Sequence, residues 1–211
     1  MFPASSRRRP AATRPRRRIT ATAPSGVTLA GTIQTSGDAI SIGDSNTPIT
    51  LAANTIVDGN TAGDITLGGA INGGYSLTLN TTGTTTLSGA IGGSTALTTL
   101  TTNANGTTVI SVDIETSSTQ TYNDAVTING TLDFTGSIVQ FASTLAGNDG
   151  SGDNLTISGN LDLDGAATSL TSLTVEGTSN LGANVTTSET QTYTGAVTLS
   201  GAARTLTTAG S

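Results

Sequence analysis

A fifteen-residue stretch that returns almost unchanged constrains this chain more than any other feature. TSSTQTYNDAVTING, from Thr116 to Gly130, reappears as TSETQTYTGAVTLSG from Thr187 to Gly201, 71 residues later and with ten of the fifteen positions identical. The elements upstream keep the same order. SLTLN from Ser76, LSGA from Leu87 and ALTTLT from Ala96 precede the first copy, and NLTIS from Asn154, LDGA from Leu163 and SLTSLT from Ser169 precede the second. Self-similarity at a long, fixed order of elements is the signature of a stacked array, in which no unit buries its apolar face alone. The two long units run from about residue 64 to 130 and from 131 to 201. Spacing between corresponding elements differs by a few residues, as expected when the variable lengths lie in loops at the corners of a coil.

Within each unit, runs such as DITLGGAI (Asp64 to Ile71), YSLTLN (Tyr75 to Asn80), TTTLSGAI (Thr84 to Ile91) and NLTISGNLDLDG (Asn154 to Gly165) alternate apolar and polar residues. A period of two puts Ile, Leu and Val on one side and Thr, Ser or Asp on the other, which is a half-buried strand. Glycines such as Gly73, Gly74, Gly92 and Gly93 sit between the runs, where tight corners need them. Threonine, with 45 residues, dominates and favours strand, and no stretch keeps the i, i+3, i+4, i+7 apolar spacing of a helix. Only 3% of residues are aromatic, so a sandwich or barrel core two side chains thick lacks its usual filling. A parallel β-helix does not need it, because thin aliphatic layers stack about 4.8 Å apart. With roughly 20 residues per coil, positions 19 to 211 supply about nine or ten coils and a rod of roughly 45 Å. The expected fold class is therefore all-β, a parallel β-helix over residues 26–211 behind a disordered basic leader at 1–25.

Charge divides the chain in the same place. Seven of the eight basic residues are Arg7, Arg8, Arg9, Arg14, Arg16, Arg17 and Arg18; Arg204 alone follows them, against 14 carboxylates. The Arg run contains Pro10 and Pro15 and no apolar stretch, so it reads as a disordered leader and not as a secretory signal. The acidic remainder argues against a nucleic-acid partner, since phosphate binding needs clustered cations. With no cysteine there is neither disulfide nor thiolate metal site, and no segment has the eighteen apolar residues of a membrane helix.

Five features invite chemistry. Asp113 with Glu115, and Asp162 with Asp164, are spaced two apart on one strand face and could act as acid and base; they read better as solvent-facing residues of an acidic exterior. The loop GNDGSGDN (Gly147 to Asn154) sets Asp149, Ser151 and Asp153 at alternate positions, a partial Ca²⁺ spacing without the closing bidentate Glu, and reads as a flexible turn. Thr-x-Thr runs suggest ice binding, which requires coplanar Thr ranks on successive coils, and their spacing here is irregular. Tyr122 and Tyr193 occupy matching repeat positions, pointing to packing at one corner of the coil, with Gln120 and Gln191 hydrogen-bonding nearby. No catalytic, cofactor-binding or metal-binding residue is assigned.

The stretch from Gly63 to Thr101 and the two TQTY..AVT copies resemble the β-strand repeats of filamentous-haemagglutinin-like exoproteins, including two-partner-secretion proteins and autotransporter passenger domains. That resemblance covers roughly Gly63 to Ser211. It implies a right-handed parallel β-helix, location in the medium or on the outer-membrane surface, and a part in adhesion or biofilm, with a receptor or glycan of a host or neighbouring cell, or self-association, as the partner. The family's signal peptide, secretion domain and membrane barrel have no counterpart here, and the chain stops within what reads as another repeat, so a fragment of a larger adhesin is expected. The alternatives are a carbohydrate-active β-helix lyase or hydrolase, which would gather carboxylates in a groove where a stalk would scatter them, and an ice-binding protein.

Overall fold

The computed structural model describes residues 17–209, which form strands and turns with no helix, coiled as a parallel β-solenoid of about nine turns. The Arg-rich leader expected at 1–25 lies for its greater part outside the described residues. Its last third does not belong to a leader, because Ile19–Ala21 is the first described strand of the ladder and pairs in register with Ile40–Ile42. The alternation of Ile19 and Ala21 is already the core pattern, and Pro24, Ser25 and Gly26 form the first corner instead of the end of a linker.

Three faces make up each coil. The first is a ten-stranded parallel sheet that begins with Ile19–Ala21, Ile40–Ile42 and Ile65–Leu67, continues through Thr84–Leu87, Thr107–Ile110 and Ala125–Ile128, and ends at Leu206–Thr208. The second and third belong to one folded sheet, in which the long strands Thr131–Phe141 and Asn154–Leu163 pass across both faces and change register between Thr135 and Ile138. That irregularity is the corner itself, since a bulge bends a strand and resets its facing. Partners on adjacent coils are 17 residues apart at the closest, Leu170 with Thr187, and 25 at the widest, Ile40 with Ile65, and the excess is absorbed in the corners. Nine turns at about 4.8 Å give a rod of roughly 43 Å.

Backbone pairing alone would leave the corners unsatisfied, and asparagine fills the gap. Asn54 Oδ1 accepts the Ser76 N–H at 3.1 Å, Asn72 Oδ1 accepts Ser94 N–H at 2.8 Å, and Asn160 Oδ1 accepts Thr178 N–H at 2.8 Å, each from the next coil. Each side-chain carbonyl extends the ladder where the strands have turned away from one another.

Inside, the side chains form columns. Ile40, Ile65, Thr85, Thr108, Val126, Leu145 and Ala167 follow one another along the first face, all buried. Threonine therefore also lines the interior, where Thr85, Thr102 and Thr108 are buried in mid-rod, a placement the expectation of Thr as an exterior residue missed. A β-branched side chain close in volume to valine fits such a layer, at a cost when its hydroxyl stays unpaired, as at Thr85 and Thr102.

The aromatic residues are few, and three of them are gathered in one place. Tyr122 stacks on Phe141 with ring centroids 5.2 Å apart and tilts against Phe134 at 5.8 Å, all fully buried. Its hydroxyl donates to Gln120 Oε1 at 2.9 Å, and Gln120 Nε2 donates to the carbonyls of Ile114 at 3.1 Å and Thr135 at 2.9 Å. The expected packing and hydrogen-bonding roles are present, but on strands, and the matching corner is absent. Gln120–Tyr122 lies on the third face, aligned with Leu100–Thr102, whereas Gln191–Tyr193 lies on the second, aligned with Leu173–Val175. Between the copies the chain completes three coils and then two further faces, and the same displacement separates Leu77 from Leu155. The sequence repeat is thus not a whole number of coils.

Two substitutions test this packing. A Cβ on Gly159 would overlap the Gly136 carbonyl oxygen, so Gly159→Ala is expected to cost about 2–4 kcal/mol in urea unfolding, while Gly74→Ala, in open space, stays within about 0.5 kcal/mol. Gln120→Leu leaves the Tyr122 hydroxyl without a partner in the core, while the Thr135 carbonyl keeps the Thr116 N–H, and is expected to cost about 1–3 kcal/mol in the same measurement; an unchanged midpoint would show the network to be dispensable.

Candidate functional site

A shallow concavity lies on the second face. Its exterior positions are Ala90 and Gly92 on one coil, then Asp113 and Glu115, then Asp133 and Thr135, because Ile91 stacks on Ile114 and Ile114 on Phe134. Gly92 combines a φ of +83° with a site where a Cβ would overlap the Glu115 carbonyl, so only glycine fits. Small residues on one coil beside long acidic ones on the next open a shallow groove of about 260 Å³, lined by Ala90, Ile91, Gly93, Asp113, Glu115 and Asp133 among others.

Asp113 and Glu115 are exposed, as expected for an acidic exterior, and Asp133 joins them from the next coil. The sequence could not pair Asp113 with Asp133 before the coil register was known, since they are 20 residues apart and belong to no motif. Asp113 Oδ1 accepts the Asp133 N–H at 2.9 Å, and Asp133 Oδ1 accepts the Ser158 hydroxyl at 3.1 Å, so these carboxylates are already engaged in the ladder. The groove holds no basic side chain, and the described residues contain no cluster of three or more carboxylates arranged to hold a metal ion.

The second candidate pair separates by role. Asp162 is an interior member of a side-chain ladder on the third face, accepting from Gln140 Nε2 at 3.0 Å and from Asn180 Nδ2 at 2.8 Å, one coil to either side. Asp164, two residues on, is exposed and 3.5 Å from the same Gln140 amide. Amides bridging the carboxylate give it a structural task, rigidifying the outer surface.

The loop Gly147 to Asn154 is a tied turn. Asp153 points inward and is 1% exposed, accepting N–H groups from Gly130 at 2.8 Å, Asp149 at 3.1 Å and Gly150 at 3.3 Å. Asp149 Oδ1 takes the Ser151 N–H at 2.9 Å. The oxygens that a cation would need are thereby committed to backbone donors. Burial pushes the Asp153 carboxyl up, but its backbone donors, Gly130, Asp149, Gly150 and Asn148, together outweigh burial and hold it below the ordinary value. Asp124, also buried, has only the Gly106 N–H and the Thr108 hydroxyl, and burial wins, raising its carboxyl above the ordinary value.

Threonine does form an outward rank on the first face, running Ser41, Thr66, Thr86, Val109, Thr127, Ala146 and Thr168. Val109 and Ala146 interrupt it, and the rank two residues earlier reads Thr84, Thr107, Ala125, so on this face paired Thr-x-Thr ranks do not recur on successive coils. Ser169, at a positive φ of 56°, then breaks the register before Thr187.

No protein-family model, curated protein or solved structure matches this chain. No described helix is long and apolar enough to cross a membrane.

The two buried carboxylates give opposite pH signs. Asp153, held below its unfolded value of 3.8, contributes stability that is present above 3.8 and lost as pH falls through the folded value. Asp124, raised above 3.8, destabilises increasingly as pH rises from 3.8 through its folded value. Urea midpoints measured from about pH 2.5 to 7 should therefore show Asp153→Asn losing stability at neutral pH and Asp124→Asn removing the decline above 3.8. Parallel profiles for wild type and Asp124→Asn would contradict this.

Proposed function

We propose that the chain is a structural, adhesive segment of a secreted or cell-surface repeat protein of the filamentous-haemagglutinin-like kind, in which the rod displays contacting surfaces and no residue performs chemistry. One observation carries the reading. Polar groups on the outer faces are spent on one another along the rod, as in Gln140–Asp162–Asn180 and Asp113–Asp133–Ser158, which stiffens a surface for display. Parallel solenoids add stability coil by coil and expose long faces, a form suited to spacing and presenting contacts. The partner in this reading is a receptor or glycan on a host or neighbouring cell, or another copy of the rod. A carbohydrate-active enzyme is the second reading, favoured by the groove that brings Asp113, Glu115 and Asp133 together.

One experiment separates them. Beads coated with the purified chain are expected to be retained on bacterial or host-cell surfaces above albumin-coated beads, and incubation with a panel of acidic and neutral polysaccharides is expected to release no reducing ends or unsaturated products. Product formed by the wild type and lost in Asp113→Asn would replace the adhesive reading with the enzymatic one, and beads retained no better than the controls would remove adhesion.

A further inference from the structure

Corners of a coil need residues that accept a positive φ, and asparagine followed by glycine does so readily. The chain uses that pair three times, at Asn72–Gly73, Asn105–Gly106 and Asn129–Gly130. Asn105 has a φ of +77° and Gly130 of +99°, and a Cβ on Gly106 would crowd the Thr81 and Gly83 carbonyl oxygens at 2.7 and 2.8 Å. Shape therefore fixes the pair at both corners. The same pair is chemically fragile, because no side chain shields the glycine nitrogen from the asparagine before it. That nitrogen can attack the asparagine Cγ: the new N–Cγ bond closes a cyclic imide, the Cγ–N bond of the side chain breaks, and its nitrogen leaves as ammonia with the glycine amide proton. Water then opens the imide to aspartate or isoaspartate.

Asn105 and Asn129 are exposed, so solvent reaches both side chains. The attacking nitrogens are not free. Gly106 N–H donates to Asp124 Oδ1 at 2.8 Å, and Gly130 N–H donates to Asp153 Oδ1 at 2.8 Å. Each carboxylate comes from the next coil, 18 and 23 residues on, and each aspartate is 1% exposed. Asp153 Oδ2 holds a further amide of this kind at 3.3 Å, the Gly150 N–H of Asp149–Gly150, a pair that closes the same imide with loss of water.

We infer that the buried carboxylates of Asp124 and Asp153 guard Asn105 and Asn129 against deamidation, each holding the one amide that would attack.

Two effects act together. Attack needs the nitrogen free and within about 3–3.5 Å of Cγ, and the bond to the carboxylate has to be given up first, which slows the reaction roughly tenfold or more. Attack also needs the amide proton removed, and a carboxylate against that nitrogen disfavours the negative charge that forms. The fold depends on the outcome, since isoaspartate inserts a methylene into the main chain. Asn129 N–H donates to the Ile110 carbonyl at 2.9 Å and the Gly130 carbonyl accepts the Asn154 N–H at 3.1 Å, so an atom inserted between them puts the ladder out of step. The third pair is an internal control. Gly73 N–H donates to the Thr95 carbonyl at 3.2 Å, and Asn72 Oδ1 accepts the Ser94 and Thr95 N–H groups at 2.8 and 3.0 Å, with no carboxylate involved. The guard does not depend on what the rod binds, so it and the adhesive reading can fail separately.

The test is incubation of the full chain in warm, mildly alkaline buffer, followed by peptide mapping that separates asparagine, aspartate and isoaspartate. Wild type is expected to lose Asn105 and Asn129 at least about tenfold more slowly than the same chain unfolded in urea. Asp153→Ala is expected to speed the loss of Asn129, and the isomerisation of Asp149, about tenfold while Asn105 and Asn72 keep their wild-type rates. Asp124→Ala should speed Asn105 alone. Asp153→Asn and Asp124→Asn keep the shape without the charge, serve should an alanine variant not fold, and are expected to accelerate the same single asparagines by a smaller factor. Unchanged rates in the variants, or acceleration of all three asparagines together as unfolding would produce, would overturn the proposal.

Discussion

The parallel backbone ladder between successive coils is the constraint on which the rest of this structure depends. Each strand has its N–H and C=O groups satisfied by the coil before and the coil after, as when Ile40 N–H donates to the Asp64 carbonyl and Leu77 N–H to Thr99. That ladder fixes the height of every coil and leaves the side chains a simple duty, to alternate inward and outward. It explains how a chain with 3% aromatic residues and no cysteine holds a continuous core, since the layers are thin and each is covered by the next. It also explains the tolerance of coil lengths between 17 and 25 residues: length is taken up where no backbone pairing is required.

The interchangeability of faces follows from the same rule. A strand of this solenoid is specified by two inward residues flanking an outward one and by a corner, not by which of the three faces it occupies. Gln120–Thr121–Tyr122 and Gln191–Thr192–Tyr193 obey that rule on different faces. What differs is the company they keep. Tyr122 is covered by Phe141 and Phe134 and fully buried, while Tyr193, on the last described coil, is only partly buried and its hydroxyl sits 3.2 Å from Gln191 Oε1. Identical sequence therefore contributes differently to stability according to the coils that happen to surround it.

The exterior shows how such a rod acquires distinct surfaces without motifs. On the second face, Ala90, Gly92 and Gly93 happen to neighbour Asp113 and Glu115 in the ladder, and a groove results from the step in side-chain size. On the third face, carboxylates and amides alternate from coil to coil and bind one another. Faces of this kind offer polar, hydrogen-bonded contact along the length of the rod.

Period-two alternation, the Thr-rich strands and the ordered repeat were enough to determine, from sequence, an all-β parallel solenoid of about nine turns, because alternation is local and a strand's two sides are set by its own residues. The outward placing of Asp113, Glu115 and Asp164 followed from the same local rule, and the packing role of Tyr122 from its place in the repeat. Register is not local. Whether Asp133 lies beside Asp113, whether Asn72 reaches Ser94, or whether Tyr193 shares a face with Tyr122 depends on the summed lengths of all the intervening corners, and each corner is free to vary. Only the tertiary structure decided those neighbours, and with them the groove, the inward threonines and the strand at Ile19, because a ladder fixes vertical contacts only once every coil has been wound.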